Sequence, residues 1–206
     1  MGNSSKDLMV KSKIQKTAFE LFKKQGIHFV SLDLIAKNLG ISKKTIYNHF
    51  KNKEDIISVC IQNYVDERRK QREAIMAESD NVIEGLVKII KQSLKNLSQF
   101  NPLFFEEISR YYPEIAKLLM GKMNQESYLG YYNIIEKGKN EGLFKKNVDS
   151  DIITKVLLSQ INLIMDYETF PVEEYPREEL VEHIFISFIN GISTYKGQAI
   201  ITEHQF

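Results

Sequence analysis

Apolar residues recur along most of this chain three or four positions apart, which is the spacing of an α-helix. The clearest example is the face formed by Leu32, Ile35, Ala36 and Leu39. Alternation of apolar and polar residues, typical of a strand, never continues beyond a few residues. The pattern predicts an all-α protein of about nine helices, at about residues 7–25, 32–39, 43–50, 53–77, 80–97, 102–112, 114–139, 149–168 and 177–195.

The segment SLDLIAKNLGISKKTIYNHF predicts two short helices joined by a tight turn. Ser31 can cap the first helix, and Gly40 can end it in the left-handed conformation without a Cβ penalty. Ser42 can cap the second helix, whose apolar side needs only Ile46 and Phe50. A helix that buries so little indicates another role for its polar face.

The polar face of this second short helix has the chemistry of a DNA-reading surface. From Ser42 to His49 the chain carries two lysines, several other hydrogen-bonding side chains and no acid. Residues near the start of a recognition helix reach base edges in the major groove, while flanking Lys, Thr, Tyr and His side chains contact phosphates. A solvated surface helix is the alternative. The predicted DNA-binding residues are Ser31, Ser42, Lys43, Lys44, Thr45, Tyr47, Asn48, His49 and Lys53, the last of these at a phosphate.

The charge of the chain is divided unevenly along its length. The net charge of the whole chain is +1. Residues 1–60 have a net charge of +6, from 11 Lys+Arg and 5 Asp+Glu, and residues 61–206 have a net charge of −5, from 17 Lys+Arg and 22 Asp+Glu. The basic part contains the predicted DNA-reading helix. This agrees with binding to phosphates, where cations release counterions.

A longer pattern surrounds the two short helices, over about residues 10–58. It consists of AFELFKKQG at the end of the first helix, then Ser31, then LIAKNLGISKKTIYNHFKNKEDII. This arrangement resembles the tetracycline-repressor-like (TetR) family. Leu39 departs from it, because the family often has alanine before the turn glycine. The matching positions are Phe22, Gly26, Ile35, Ala36, Gly40, Ser42, Tyr47, Phe50, Lys53 and Glu54.

The resemblance implies a helix-turn-helix DNA-binding domain over residues 1–52 and a helical effector-binding and dimerisation domain over 53–206. It implies a transcriptional regulator, usually a repressor, which binds palindromic operator DNA as a homodimer and is released by a mostly apolar small molecule. For the C-terminal two-thirds of the chain, the resemblance rests only on the length and on the helical spacing of apolar residues. The alternative is a DNA-binding regulator whose C-terminal domain is a protein-interaction module without a small-molecule effector.

The last two long predicted helices are apolar over more than one face. Either the core of the same chain surrounds them or a second subunit does. Because a palindromic site requires a symmetric reader, we expect a homodimer. The predicted interface residues are Leu157, Ile161, Ile164, Val181, Ile184, Phe185, Phe188 and Ile192.

Aromatic residues are concentrated between positions 100 and 144. They fill a core, or they line a cavity for a mostly apolar effector, as the resemblance implies. The tyrosines favour a cavity slightly, because a buried phenol needs a hydrogen-bond partner. The predicted effector-binding residues are Phe104, Phe105, Tyr111, Met120, Tyr128 and Tyr132.

Other chemistry finds little support in the sequence. Cys60 is the only cysteine, which excludes an intrachain disulfide and fits a reducing cytoplasm, and the four histidines lack metal-ligand spacing. No nucleophile–base pair or phosphate loop is visible, so an enzyme is not predicted, nor is a cofactor or a metal. The N-terminus lacks a signal-peptide core, and we expect no membrane association.

Overall fold

The computed structural model describes residues 2–101, 103–164, 166, 168–171 and 173–204, with the side chains of 2–5, 118–120, 122, 123 and 204 left out. Over these residues the regular structure is helical, apart from one isolated β-bridge between Phe144 and Ser193. The all-α prediction is confirmed. The helices are α1 Gly2–Gln25, α2 Leu32–Leu39, α3 Lys43–Tyr47, α4 Lys53–Glu78, α5 Val82–Leu97, α6 Leu103–Tyr111, α7 Pro113–Asn140, α8 Ser150–Ile164, α9 Arg177–Leu180, α10 Ser187–Ile192 and α11 Tyr195–His204.

The C-terminal end differs most from the predicted helices. A π-helical segment, Val181–Ile186, joins α9 to α10 without a break. The predicted last helix therefore exists, but it ends at Ile192. The chain then becomes extended at Ser193, with φ −77° and ψ 149°, and Thr194 Oγ1 accepts the Gly197 N–H at 3.3 Å as α11 begins. Helix α11 was not predicted.

The caps around α2 and α3 agree with the sequence prediction. The Ser31 side chain accepts a hydrogen bond from the Leu34 N–H at 3.1 Å. Gly40 has φ +64°, and its N–H is directed at the last carbonyls of α2. Ser42 Oγ accepts from the Thr45 N–H at 3.1 Å, so α3 begins one residue after its cap. Local side-chain chemistry thus sets both ends of the turn.

The chain divides into two compact units. Unit 1 comprises Met1–Glu67 and Asn96–Met123, and unit 2 comprises Arg68–Lys95 and Asn124–Phe206. The predicted functional division at residues 52 and 53 concerns roles rather than compactness and stays a prediction.

Unit 1 encloses a core to which α1, α2, α3, α4 and α6 contribute. Its buried side chains are almost all apolar and come from distant parts of the sequence, so the three N-terminal helices are held by α4 and α6 as well as by one another. The central members are Ile14, Ala18, Phe22, Ile27, Val30, Ile35, Ile46, Phe50, Ile56, Ile57 and Phe104.

Unit 2 has its own core, built from α5, the second part of α7, α8, α9, α10, α11 and the π-helical segment. The completely buried side chains include Val82, Ile83, Leu86, Ile135, Phe144, Leu157, Phe185 and Ile189. Among the described helices, none has the length and apolar content needed to cross a bilayer.

Candidate nucleic-acid interface

Helix α3 is attached to unit 1 by very few side chains. Ile46 is fully buried, and Phe50 is buried just beyond the end of the helix. On the adjoining helix, Ile35 and Ala36 supply the buried face. The rest of α3 consequently remains at the surface of unit 1, as the i, i+4 spacing predicts.

The exposed residues of this segment include most of the predicted DNA-binding set. Tyr47 is 51% exposed, although a tyrosine is a large, partly apolar side chain. Thr45 is half-buried and bonded to its cap, with 2.9 Å between Thr45 Oγ1 and Ser42 Oγ. The predicted residues that lie exposed are Ser31, Ser42, Lys43, Lys44, Tyr47 and Asn48. Those from Ser42 to Asn48 form a surface of hydroxyl, amide and ammonium groups on and around α3, which we call the α3 surface, while Ser31 caps α2.

Lys43 has an acidic partner that its neighbours in the sequence do not reveal. Its Nζ lies 2.8 Å from Asp33 Oδ2 on α2. The hydrogen bond to Asp33 and the charge of that carboxylate raise the pKa of Lys43 above its usual value. Asp33 lies ten residues away on another helix, so no helical spacing could have revealed the pair. A phosphate that contacts Lys43 has to compete with Asp33.

His49 is directed back into unit 1. Its side chain is only 9% exposed, and Nε2 lies 3.7 Å from Asp7 Oδ1 on α1. The structure thus differs from the expectation of a DNA-facing imidazole. Because Asp7 is on α1, far from His49 in the sequence, the local pattern around α3 gave no sign of this contact.

Lys53 also differs from its predicted position at a phosphate. Its Nζ donates a hydrogen bond of 2.6 Å to the carbonyl oxygen of Ile27. Burial lowers the pKa of Lys53 below its usual value, while the charges of Glu107 and Glu54 oppose that shift. The ammonium is therefore engaged inside unit 1 rather than presented to solvent.

The predicted effector-binding residues fall into two groups, one in each unit. In unit 1, Phe104 is buried against Phe105, with ring centroids 5.1 Å apart, while Tyr111 is exposed and stacked on His28. These residues form part of a wider ring cluster that includes Phe19, Tyr64 and Phe100. Within it, the Lys23 ammonium lies 5.2 Å from the Phe19 ring centroid.

In unit 2, Tyr128 and Tyr132 stack with their ring centroids 5.9 Å apart. The Tyr128 hydroxyl donates to Asp151 Oδ1 at 2.6 Å, and this hydrogen bond is the main reason why the pKa of Tyr128 is raised to about 12. The phenol therefore already has a hydrogen-bond partner within the chain. The side chain of Met120, the remaining predicted residue, lies outside the described residues.

Most of the predicted dimer residues lie in the core of unit 2. This burial within a single chain explains their apolar character without a partner and corrects the expectation that they supply the dimer interface. The buried residues of the predicted set are Leu157, Ile164, Val181, Phe185 and Ile192. Ile161, Ile184 and Phe188 are only partly buried. The exposed apolar stripe of α8 consists instead of Ile152, Val156 and Leu163.

Comparison with known proteins agrees with this architecture. Residues 14–60 match the family model described as bacterial regulatory proteins, tetR family. Over 182 residues the chain is 23% identical to the uncharacterized HTH-type transcriptional regulator YvaF of Bacillus subtilis, covering 88% of this chain and 94% of that protein. The helix-turn-helix segment of the chain is therefore that of the TetR family.

Solved structures extend the similarity to the whole TetR fold. A TetR/AcrR-family regulator from Thermobifida fusca is 28% identical, with a TM-score of 0.66 over 88% of this chain and 97% of that one. A transcriptional regulator from Saccharomonospora viridis, solved in complex with choline, has a TM-score of 0.73 at 21% identity, over 89% of this chain and 97% of that one. Over most of its length the chain accordingly has the fold of TetR-family transcriptional regulators, with the helix-turn-helix at its N-terminal end.

Proposed function

We propose that this TetR-family regulator binds palindromic operator DNA as a homodimer, using the α3 surface, and acts as a repressor in the bacterial cytoplasm. The observation that carries the proposal is the exposure of Lys44, Tyr47 and Asn48 on a helix that buries little else than Ile46. Hydroxyl, amide and ammonium groups along such a helix, from Lys44 near its start to Asn48 at its C-terminal cap, suit base edges and phosphates. Ser31, at the start of α2, adds an exposed hydroxyl for a phosphate contact.

Homodimerisation is supported by the exposed apolar stripe of α8. Ile152, Val156 and Leu163 recur with helical spacing on one face of α8, and Ile152 is 57% exposed. A second copy of the chain would cover this stripe by placing the same surface against it, as two-fold symmetry requires. The partly buried Ile161, Ile184 and Phe188 are the parts of the original interface prediction that we retain.

A small-molecule effector is the second part of the proposal. The S. viridis regulator, which shares the fold, was crystallised with choline. Aromatic faces attract quaternary ammonium groups, and the present chain carries a cluster of aromatic rings in unit 1 over which the Lys23 ammonium already lies in the place of such a cation. A mostly apolar molecule, with choline as the first probe, is therefore the proposed effector. It must bind the DNA-incompetent form more tightly, or it could not release the DNA.

The test begins with selection of duplexes from a random pool on the purified protein. We expect a palindromic consensus and an affinity that falls steeply with salt, because phosphate contacts release counterions. Choline and a panel of apolar metabolites are then screened for release of the selected duplex and for a shift in melting temperature. Selection without any consensus would contradict sequence-specific regulation. A consensus without any active compound would favour the alternative, a C-terminal protein-interaction module.

A further inference from the structure

A buried carboxylate contacts the turn that precedes the helix-turn-helix. Glu107, on α6, is only 8% exposed, and its Oε2 accepts hydrogen bonds from two consecutive backbone groups, the N–H of Ile27 and, at 3.0 Å, the N–H of His28. Eighty residues separate Glu107 from Ile27. Two adjacent N–H groups form a concave site for an anion, so this turn is shaped around the carboxylate.

Gly26 is what allows the backbone to approach so closely. Its φ is +81°, a conformation that other residues rarely adopt. A Cβ built on this residue would lie 2.8 Å from Glu107 Oε2 and 3.1 Å from Oε1. The glycine therefore serves two purposes, because its positive φ ends α1 and its missing side chain leaves room for the carboxylate.

Lys53 holds the other side of the same peptide segment. Its Nζ donates to the carbonyl oxygen of Ile27, while the N–H of Ile27 donates to Glu107. The negative charge of Glu107 also favours the charged form of Lys53, against the effect of burial. Ile27 is thus fixed at both its polar groups by side chains from two other helices. One turn beyond Glu107 on α6, the Tyr111 ring stacks on His28, with ring centroids 5.0 Å apart.

In the sequence, the turn that contacts Glu107 lies directly before the two helices that carry the surface proposed to bind DNA. Val30 N–H donates to Ile27 O at 3.3 Å, and the next residue, Ser31, is the N-cap of α2. Burying a carboxylate is costly, and apolar packing of the same volume often stabilises a protein as well or better. Orientation of the turn is a better explanation than stability for a charge in this position.

We propose that Glu107 is a positioning residue for DNA binding. By fixing the Gly26–His28 turn, Glu107 fixes the position at which α2 begins. Through the α2–α3 pair, it thereby fixes the orientation of the α3 surface. The inference rests on the proposed DNA-binding function. It adds to that function a residue of α6, which belongs to unit 1 but lies far from the helix-turn-helix in the sequence.

The experiment compares Glu107→Ala and Glu107→Gln with the matched control Glu106→Ala, which removes an exposed carboxylate from the neighbouring position of α6. Amide hydrogen exchange at Ile27 and His28 is read residue by residue by NMR. Affinity is measured for the duplex selected by the parent protein. We expect Glu107→Ala to accelerate exchange at both amides and to weaken binding by about tenfold or more. Glu107→Gln keeps an acceptor oxygen and should restore part of both losses.

Amides of Ile56 and Ile57, in the core of unit 1, report general unfolding and should remain protected. If Glu107→Ala fails to fold, amide exchange and DNA affinity of the Glu107→Gln variant test the inference instead. Unchanged exchange at Ile27 and His28, or unchanged DNA affinity despite faster exchange, would overturn the inference. A parent protein that binds no duplex would instead overturn the proposed function, while the exchange data would still report on the contact.

Discussion

Lys43 and Asp33 form an ion pair between α3 and α2, with 2.8 Å between Nζ and Oδ2. Both side chains are well exposed, so the pair contributes little to stability and its charges are screened by salt. Its importance lies in its position, because it places a carboxylate within the α3 surface.

Replacing Asp33 with asparagine should strengthen DNA binding. The change removes a negative charge beside the proposed phosphate contacts and frees Lys43 from its competing partner, so we expect a gain of about threefold to tenfold at low salt. Fluorescence anisotropy on the selected duplex measures it, with Glu178→Gln, an exposed acid of unit 2, as control. Weaker binding by the Asp33→Asn variant would mean that Asp33 orients Lys43 productively.

Lys53 and Lys44 should have different effects on the salt dependence of binding. Lys44→Ala removes a proposed phosphate contact and should reduce the slope of log affinity against log salt by about one. Lys53→Met loses the hydrogen bond to Ile27 and should lower the free energy of unfolding by about 1 kcal/mol, while the slope stays unchanged. A slope reduced equally in both variants would restore the original prediction that Lys53 contacts a phosphate.

Cys60 should be unreactive in the native protein. Burial raises the pKa of its thiol to about 12, and its Sγ lies 3.4 Å from the Gln15 carbonyl oxygen. Reaction with Ellman's reagent at about pH 8 should require unfolding, since the thiolate is the reactive species. The control is Asn63→Cys in a Cys60→Ser background, which places a thiol at an exposed position of the same helix and should react at once. Rapid labelling of native Cys60 would contradict this prediction and show that the thiol is accessible in the folded protein.

The same pKa shift predicts how stability depends on pH. Because the folded-state pKa of Cys60 lies above its unfolded value of about 9, the buried neutral thiol stabilises the fold below about pH 9. As pH rises from about 9 to about 12, the unfolded chain loses this proton first, and the contribution disappears. Cys60→Ala should therefore show a shallower alkaline loss of stability in urea titrations than the parent protein.

Val156→Glu should dissociate the proposed dimer without unfolding the subunit. The side chain is exposed in a single chain, so a charge there is tolerated in the monomer but not beneath a second copy. Sedimentation velocity and circular dichroism measure the two properties, with the exposed Asn147→Glu as control. A parent protein that sediments as a folded monomer would contradict the dimer proposal.

The parts that the sequence predicted well depend on neighbouring residues. Ser31, Gly40 and Ser42 act on the few residues beside them, so their roles could be inferred from the local sequence. The contacts of His49 with Asp7 and of Lys53 with Ile27 join distant segments, and no periodicity reports them.

The apolar helices show a second limit of the sequence pattern. The sequence pattern predicts that Leu157 and Phe185 are buried, but helical spacing does not say whether the same chain or a partner buries them. The three-dimensional packing of unit 2 was needed to move the expected interface to the stripe around Val156. The effector site stays a prediction for the same reason, since aromatic spacing fits a packed core as well as a cavity.

The most direct test of the central claim is the affinity of Lys44→Ala and Tyr47→Ala for the duplex selected by the parent protein. The controls are Lys146→Ala and Tyr195→Ala, which remove exposed side chains of the same types from unit 2. If α3 reads DNA, both α3 variants should bind at least about tenfold more weakly at unchanged helicity, while the controls bind like the parent. Parent-like affinity in both α3 variants would contradict the assignment of α3 as the recognition helix.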